Sequence, residues 1–194
     1  MTTRSSWMTM VVFLCILLSG FYLRVKSVNE TVVVQPLRAD AGDYFRYAYN
    51  LLYKNTYSRE AGNLKDLHSP VTPDSVRSPG YPLFLTFFVH GVSFQSFVEQ
   101  VVLSQAILGS LTILLAYLLF KSFLPPAWAL AACLLVAMSP HLIIPNSFVI
   151  TETLFCFLLL VIGWGMSLFA SKPSAILAWI PMLVYLLNTT GRQP

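Results

Sequence analysis

The stretch EQVVLSQAILGSLTILLAYLLF, from Glu99 to Phe120, decides the class of fold. Between Glu99 and Lys121 it holds no charged residue, and a helix of about 20 apolar residues is long enough to cross a bilayer. Lys121 and the helix-breaking pair Pro125-Pro126 end it. The segment therefore predicts a transmembrane helix.

The composition of the whole chain favours the same class. Of its 194 residues 56% are hydrophobic and 10% are charged, whereas soluble domains have about 25% charged residues. The net charge of +4 comes from basic residues interleaved with acids, which is not the pattern of a nucleic-acid-binding surface. We expect an all-α integral membrane protein, a polytopic helix bundle.

The other apolar segments predict further membrane helices within one membrane domain. We predict spans at residues 7–23, 99–120, 128–142, 151–170 and 175–187. The first could be a signal peptide, but it is long for an apolar core of roughly 7 to 15 residues, so we favour an uncleaved helix. Residues 80–92 are too few to cross and predict an interfacial or half-membrane helix.

Positive charges near the ends of membrane helices predict orientation. If residues 80–92 do not cross, three of these charges fall on one side, which should be the cytoplasm: Arg4, Lys121 and Lys172. The polar segment 24–79 and a hinge around Pro145 would then both face outward, although Arg192 departs from the rule. If residues 80–92 crossed, the hinge and the polar segment would lie on opposite sides.

Nearly all ionisable side chains lie in the polar segment 24–79. It holds six of the eight acidic residues and eight of the twelve Lys and Arg residues. From Ala39 onward, apolar residues recur every three or four positions, which predicts an amphipathic helix able to lie on the membrane surface: Tyr44, Tyr47, Ala48, Leu51 and Leu52. A function beyond membrane insertion should therefore be sought here.

The first candidate residues stand at the two ends of this segment. Asp40 and Asp43 occupy the first turn of the predicted helix, where acids stabilise the helix dipole by about 0.3 to 1 kcal/mol even with no catalytic role. Arg77 precedes a proline turn that re-enters the membrane. A cation there can meet a lipid phosphate, or it can be a snorkelling interfacial arginine.

Glu152 is a candidate outside the polar segment. It begins a predicted transmembrane helix, where a carboxylate is costly unless it faces a polar cavity or a partner. The alternative is an acid exposed to lipid headgroups. The histidines lie far apart in sequence and the cysteines all lie in apolar segments, so we predict no metal site: His68, His90 and His141; Cys15, Cys133 and Cys156.

Three quoted stretches resemble, in their order and spacing, the N-terminal part of the GT-C membrane glycosyltransferases. They are ADAGDYFRYAYNLLYKNTYS, VRSPGYPLFL and SPHLIIPNSFVITETLFCFLLL. Within that class the chain is most similar to the protein O-mannosyltransferase and aminoarabinose transferase branch. Many members have an acidic pair where this chain has Asp40-Ala41.

The resemblance implies an enzyme of the plasma (inner) membrane that uses a polyprenyl-phosphate-linked sugar as donor. It would transfer the sugar to a hydroxyl or phosphate of a lipid, glycan or protein acceptor at the outer face. Asp40 matches the family's acidic motif and would be the general base, while Arg77 would offset charge on the departing phosphate. Four further residues are substrate-binding candidates: Glu152, Asp43, Tyr44 and Tyr81. No cofactor is implied, although some members of the wider class need a divalent cation.

Two other interpretations remain open. Members of this branch are more than twice as long, so we expect a truncated chain, a fragment, or a protein that needs a partner subunit. The chain could then be a non-catalytic membrane subunit or a remnant of such an enzyme. A transporter is the third class, since intramembrane acids can mark ion paths, but here the acids collect outside the predicted spans.

Overall fold

The computed structural model describes residues 2–61, 69–90 and 93–170. All regular structure in these ranges is helical. In chain order the helices are α1 (Thr2–Glu30), α2 (Asp40–Lys54), α3 (Gly80–Thr86), α4 (Phe94–Phe120), α5 (Pro126–Met138), α6 (Pro140–Ile143), a 3₁₀ turn (Ile144–Ser147) and α7 (Glu152–Ala170). The predicted span 175–187 lies outside the described residues, as do Lys172 and Arg192.

Three of the helices are long and apolar enough to cross a membrane. They are Trp7–Glu30 in α1, Phe94–Phe120, which is α4, and Glu152–Phe169 in α7. A fourth crossing is formed if α5 and the segment Pro140–Ser147, bent by 63° relative to each other, count as one broken span. The described chain therefore has the fold of a helical membrane protein. With seven residues, α3 is roughly 10 Å long and too short to cross.

Helix α4 is the centre of the bundle and packs against α1, α5 and α7. Helix α1 runs antiparallel to it, because Phe13 stacks on Tyr117 while Gly20, further along α1, faces the earlier residue Ile113. Buried residues of α1, α4 and α5 form one apolar core between these helices: Ile16, Ile113, Cys133 and Ala137.

The end of α1 differs from the predicted span 7–23. No glycine or proline follows Gly20 until Pro36, so the helix continues through the charged residues to Glu30. Hydropathy marks the part of a helix that suits lipid, and it does not mark where the helix ends. Arg24, predicted as the first residue of the polar loop, therefore belongs to α1.

The predicted span 128–142 is also corrected by the structure. Helix α5 ends at Met138, and Ser139 is extended with ψ 117°. Pro140 cannot donate a backbone hydrogen bond and disfavours a helical residue before it, so the chain bends and starts α6.

Helix α2 buries its apolar face in protein, so the prediction that this face lies on the membrane is wrong. Tyr47 and Ala48 are both 0% exposed. The face packs against α3 and the start of α4 in a second core: Ala41, Ala48, Tyr81, Leu85, Val89, Phe97, Val101 and Val149. The loop segment is thus a structured cap on one end of the bundle, which we call the loop-side cap (residues 40–61 and 69–90).

Candidate functional site

The start of α2 presents two carboxylates. Asp40 and Asp43 lie in its first turn, and the residue before them, Ala39, has the positive φ of 54°. The Ala39 carbonyl accepts a hydrogen bond from the Gly42 amide at 3.0 Å. A side chain at Gly42 would place Cβ 2.6 Å from the carbonyl oxygen of Leu37, so this tight turn requires glycine there.

Arg77 joins these carboxylates from the other end of the cap. Its Nη2 donates to Oδ1 of Asp40 and lies 3.4 Å from Oδ2 of Asp43. Its guanidinium also lies over the ring of Tyr44, 5.8 Å from the ring centroid. Arg46 binds the other oxygen of Asp43 at 2.6 Å. Four residues proposed from sequence therefore meet at one place: Asp40, Asp43, Tyr44 and Arg77. Together with Arg46 they form what we call the Asp40–Arg77 cluster.

Hydrogen bonds from two stacked tyrosines hold the segment that carries Arg77. Tyr47 and Tyr57 stack with centroids 4.2 Å apart. Tyr57 donates to the Arg77 carbonyl at 2.8 Å, and Tyr47 donates to Oδ1 of Asp74. The other Asp74 oxygen accepts from the Arg59 amide at 3.0 Å. These bonds hold the chain at Arg77 itself and at Asp74, three residues earlier.

The same contacts shift the ionisation of these groups. The hydrogen bond from Tyr47 holds the pKa of Asp74 below its usual value. Burial raises the pKa of Tyr57 to about 12. The pKa of Tyr47 is also raised, mainly by burial and to a smaller extent by the hydrogen bond to Asp74. At neutral pH Asp74 is therefore ionised and both phenols keep the protons that they donate.

A surface cavity of about 400 Å³ opens beside the cluster. Its lining is polar and mostly charged: Asp43, Arg46, Arg59, Glu60, Thr72, Pro73 and Asp74. The volume lies within the range of small-molecule sites, about 300 to 1,000 Å³. Asp43 and Arg46 belong to both the cavity and the cluster, so a molecule in the cavity would lie next to Asp40 and Arg77.

Tyr81 lies behind the cluster and is 3% exposed. Its ring meets Tyr44 edge-on with centroids 5.1 Å apart, and its hydroxyl donates to Oε1 of Gln105 at 2.7 Å. The Gln105 amide in turn donates to the Phe148 carbonyl at 2.6 Å. Tyr81 therefore connects the loop-side cap to the chain just before α7, and its hydroxyl is already engaged.

Glu152 is exposed at the first residue of α7. Burial raises the pKa of Tyr81, and the charge of nearby Glu152 raises it further, with Tyr44 contributing as well. Glu152 also borders a small cavity inside the bundle, together with Arg24 and Gly109. Glu152 therefore belongs to a second polar region and not to the Asp40–Arg77 cluster.

Arg24, a residue that sequence reasoning assigned to the loop, is the main polar group of this second region. It is 0% exposed. Its guanidinium donates to the carbonyls of Gly20 at 3.0 Å, Ala137 at 3.1 Å and Val136 at 3.3 Å. In a continuous helix the Val136 carbonyl would accept from residue 140, which is a proline and has no N–H. Arg24 supplies the missing donors at the end of α5.

A sequence signal for this role does exist. Arg24 lies four residues after Gly20 on an uninterrupted helix, which places it on the same face as a small residue that allows close helix packing. The proline break then predicts carbonyls in need of donors. Within the described ranges no three His, Cys, Asp or Glu side chains are grouped as metal ligands would be. His90 and His141 lie in those ranges and His68 does not.

Fold and site together define a helical membrane protein with an arginine–carboxylate cluster on its loop-side cap. No known protein family, curated protein or solved structure matches the chain.

Proposed function

We propose that the chain is a membrane glycosyltransferase that uses a polyprenyl-phosphate-linked sugar, with the Asp40–Arg77 cluster at its reaction centre. The observation that carries the proposal is the ion pair between Asp40 and Arg77, which are 37 residues apart in sequence. A carboxylate next to a guanidinium is the pair that sugar transfer from a lipid phosphate requires: a base for the acceptor and a cation for the leaving group.

Each residue has a defined role in the proposed reaction. Asp40 takes the proton of the acceptor hydroxyl as its oxygen forms a bond to the anomeric carbon. The bond from that carbon to the phosphate oxygen breaks, and the electron pair leaves with the polyprenyl phosphate, whose charge Arg77 balances. Attack from the face opposite the phosphate inverts the anomeric carbon.

The ion pair also suggests an order of events. Arg77 is paired with Asp40 before substrate arrives. An incoming phosphate competes for the guanidinium and so releases Asp40 to accept a proton. The cavity of about 400 Å³ next to Asp43 is the proposed space for the sugar. Glu152, at the start of α7, is assigned to the acceptor side, and the proposed reaction takes place at the outer face of the plasma membrane.

The test is a transfer assay with the whole chain in lipid nanodiscs. The donors are polyprenyl phosphates carrying radiolabelled hexoses or pentoses, and a membrane extract supplies acceptors. We expect label to move to acceptor and Asp40→Asn to lower the rate by about 10² to 10⁴-fold. Glu30→Gln, an exposed acid paired with Lys26 at the end of α1, is the matched control and should leave the rate unchanged. Normal transfer by Asp40→Asn excludes Asp40 as the base.

A second candidate is a non-catalytic membrane subunit. It is favoured by the pairing of Arg46 and Arg77 with Asp43 and Asp40, since a cluster with balanced charges can serve structure alone. Native mass spectrometry with polyprenyl phosphate separates the two. A subunit would show no lipid retention that depends on Arg77, whereas the enzyme would lose bound lipid in Arg77→Ala.

A further inference from the structure

A small cavity lies inside the bundle, where α1 and α4 meet the broken chain between α5 and α7. Its volume is about 20 Å³. Its lining comes from four parts of the chain: Arg24, Gly109, Thr112, His141, Leu142, Pro145, Glu152, Thr153 and Cys156. None of these residues belongs to the Asp40–Arg77 cluster, so the cavity is a separate feature.

Three buried polar atoms at this place make no hydrogen bond within the part of the chain that the structure describes. They are Nε of Arg24, Oδ1 of Asn146 and Oγ1 of Thr153. Arg24 and Asn146 are 0% exposed and Thr153 is 6% exposed. Buried polar groups almost always have a partner in folded proteins, and one left without a partner destabilises the fold. Arg24 and Thr153 line the cavity, and Asn146 lies beside Gly109, which also lines it, so these atoms indicate a shared ligand.

The geometry around Gly109 shows that two of these atoms converge. A Cβ added to Gly109 would lie 2.5 Å from Oδ1 of Asn146 and 2.9 Å from Nε of Arg24. The orientation of the Asn146 amide is fixed, since its nitrogen donates to the carbonyls of Leu142 at 2.7 Å and Ile143 at 2.8 Å. The oxygen is therefore the atom that faces Gly109, and Arg24 and Thr153 line the cavity beside it.

The chemistry of the three atoms selects the ligand. Arg24 offers an N–H donor, Asn146 offers a carbonyl acceptor, and the Thr153 hydroxyl can do either. An anion would face the lone pairs of Asn146, and a cation would face the charge of Arg24. Water accepts from one and donates to the other. A cavity of this kind holds one water when its volume exceeds about 10 to 15 Å³, a condition that is met here.

We propose that this cavity is a structural water site in which one ordered water bridges Arg24, Asn146 and Thr153. The water joins α1 to the 3₁₀ turn and to the start of α7, which lie far from α1 in sequence. The site does not depend on the proposed sugar transfer.

The test rests on the sign of a stability change. Thr153→Val keeps the shape of the side chain and removes its hydroxyl. If water is bound, the variant loses a hydrogen bond, and we expect the unfolding midpoint in detergent, followed by tryptophan fluorescence, to fall by about 2 to 4 °C. If the cavity is dry, the variant removes an unsatisfied hydroxyl and the midpoint rises, which would overturn the proposal.

Thr112 provides the matched control. It lines the same cavity and is 4% exposed, but its hydroxyl already donates to the Leu108 carbonyl at 2.9 Å. Thr112→Val should therefore change the midpoint less than Thr153→Val does. Thr153→Ser, which keeps the hydroxyl, should lower the unfolding midpoint less than Thr153→Ala does.

Hydroxyl-radical footprinting gives a second readout that does not depend on stability. Radicals formed from bound water oxidise adjacent side chains, and Cys156 lines the cavity. We expect its oxidation to fall at least twofold in Thr153→Val relative to the parent chain. Cys133, buried in the apolar core, should be unchanged in both. Equal oxidation of Cys156 in the two proteins would contradict the water site.

Discussion

Two arginines of this chain are held in opposite ways. Arg77, in the loop-side cap, is partly exposed and pairs with the carboxylates of Asp40 and Asp43. Arg24, in the bundle, is fully buried and binds only carbonyl oxygens among the partners seen in the described chain. A residue type with one fixed charge thus serves two environments.

The difference reflects the cost of burying charge. At the surface, water screens both charges of an arginine–carboxylate pair. Forming the pair, or replacing the carboxylate by another anion, therefore changes the free energy little. Inside the bundle a charge must be surrounded by dipoles, and the end of a broken helix supplies several carbonyls directed to one point. Arg77 is therefore suited to exchange its partner, and Arg24 is suited to keep its partners.

Alanine substitution at each of the two arginines should give the largest difference in stability. Arg24→Ala leaves the Val136 and Ala137 carbonyls without donors and opens a cavity, so we expect a loss of about 3 to 5 kcal/mol in the free energy of unfolding. Arg77→Ala should cost far less, because exposed ion pairs contribute little. Equal losses in detergent unfolding would contradict the distinction.

Arg24→Lys tests whether the geometry of the guanidinium donors matters in addition to the charge. A lysine ammonium keeps the charge but cannot present the planar set of donors that reaches two helices at once. We expect a midpoint between those of the parent and Arg24→Ala.

The connection between the two regions gives the next largest effect. Tyr81→Phe removes the hydroxyl that donates to Gln105 and leaves a buried amide oxygen without its partner. We expect a loss of about 1 to 3 kcal/mol in the free energy of unfolding, measured by chemical denaturation. The control is Tyr22→Phe on the exposed face of α1, which should be neutral. If both variants behave alike, the hydroxyl of Tyr81 does not link the cap to the bundle.

A third prediction concerns the backbone before Asp40. Ala39 has φ 54° and ψ −126°, a conformation that favours glycine, so Ala39→Gly should stabilise the chain by about 1 kcal/mol. Ala48→Gly, on the buried face of the same helix, should destabilise it by at least as much. Thermal unfolding of both variants measures the two signs. A loss of stability in Ala39→Gly would show that this turn is not strained.

The smallest effect is local and depends on pH. The pKa of Asp74 is below its ordinary value of 3.8, so its contribution to stability is complete above that pH and is lost as the pH falls through the lower value. We expect the protection of the amides in residues 57–61 and 69–77, measured relative to the intrinsic exchange rate at the same pH, to fall at acid pH while α1 near Arg24 stays protected. Asp74→Asn should show the lower protection already at neutral pH. Uniform exchange across both regions would contradict this.

The sequence predicted the elements that depend on local pattern. Long apolar runs located α4 and α7, and the recurrence of apolar residues from Ala39 predicted the helix that the structure has at Asp40–Lys54. The close approach of Asp40 and Arg77 was expected only from the resemblance to a family. Whether these residues perform chemistry stays a prediction.

What the sequence did not reveal depends on contacts between distant residues. Two of the three carbonyl partners of Arg24 lie 112 and 113 residues away, and no sequence periodicity indicates such a pairing. Hydropathy also placed Arg24 in the loop, since it scores the side chain and not its surroundings. The face of α2 was expected on lipid because an amphipathic pattern does not say whether membrane or protein covers it.

The pairing of Arg24 with the end of α5 has a consequence for biosynthesis. The ribosome makes Arg24 long before Val136 and Ala137, and at about 5 to 20 residues per second the delay is roughly 6 to 23 seconds. During that time α1 is in the membrane with an unshielded guanidinium, whose long stem can reach the headgroups from a position six residues before Glu30. The carbonyls of α5 then draw the charge inward, so Arg24 joins α1 to the bundle only after α5 has been made.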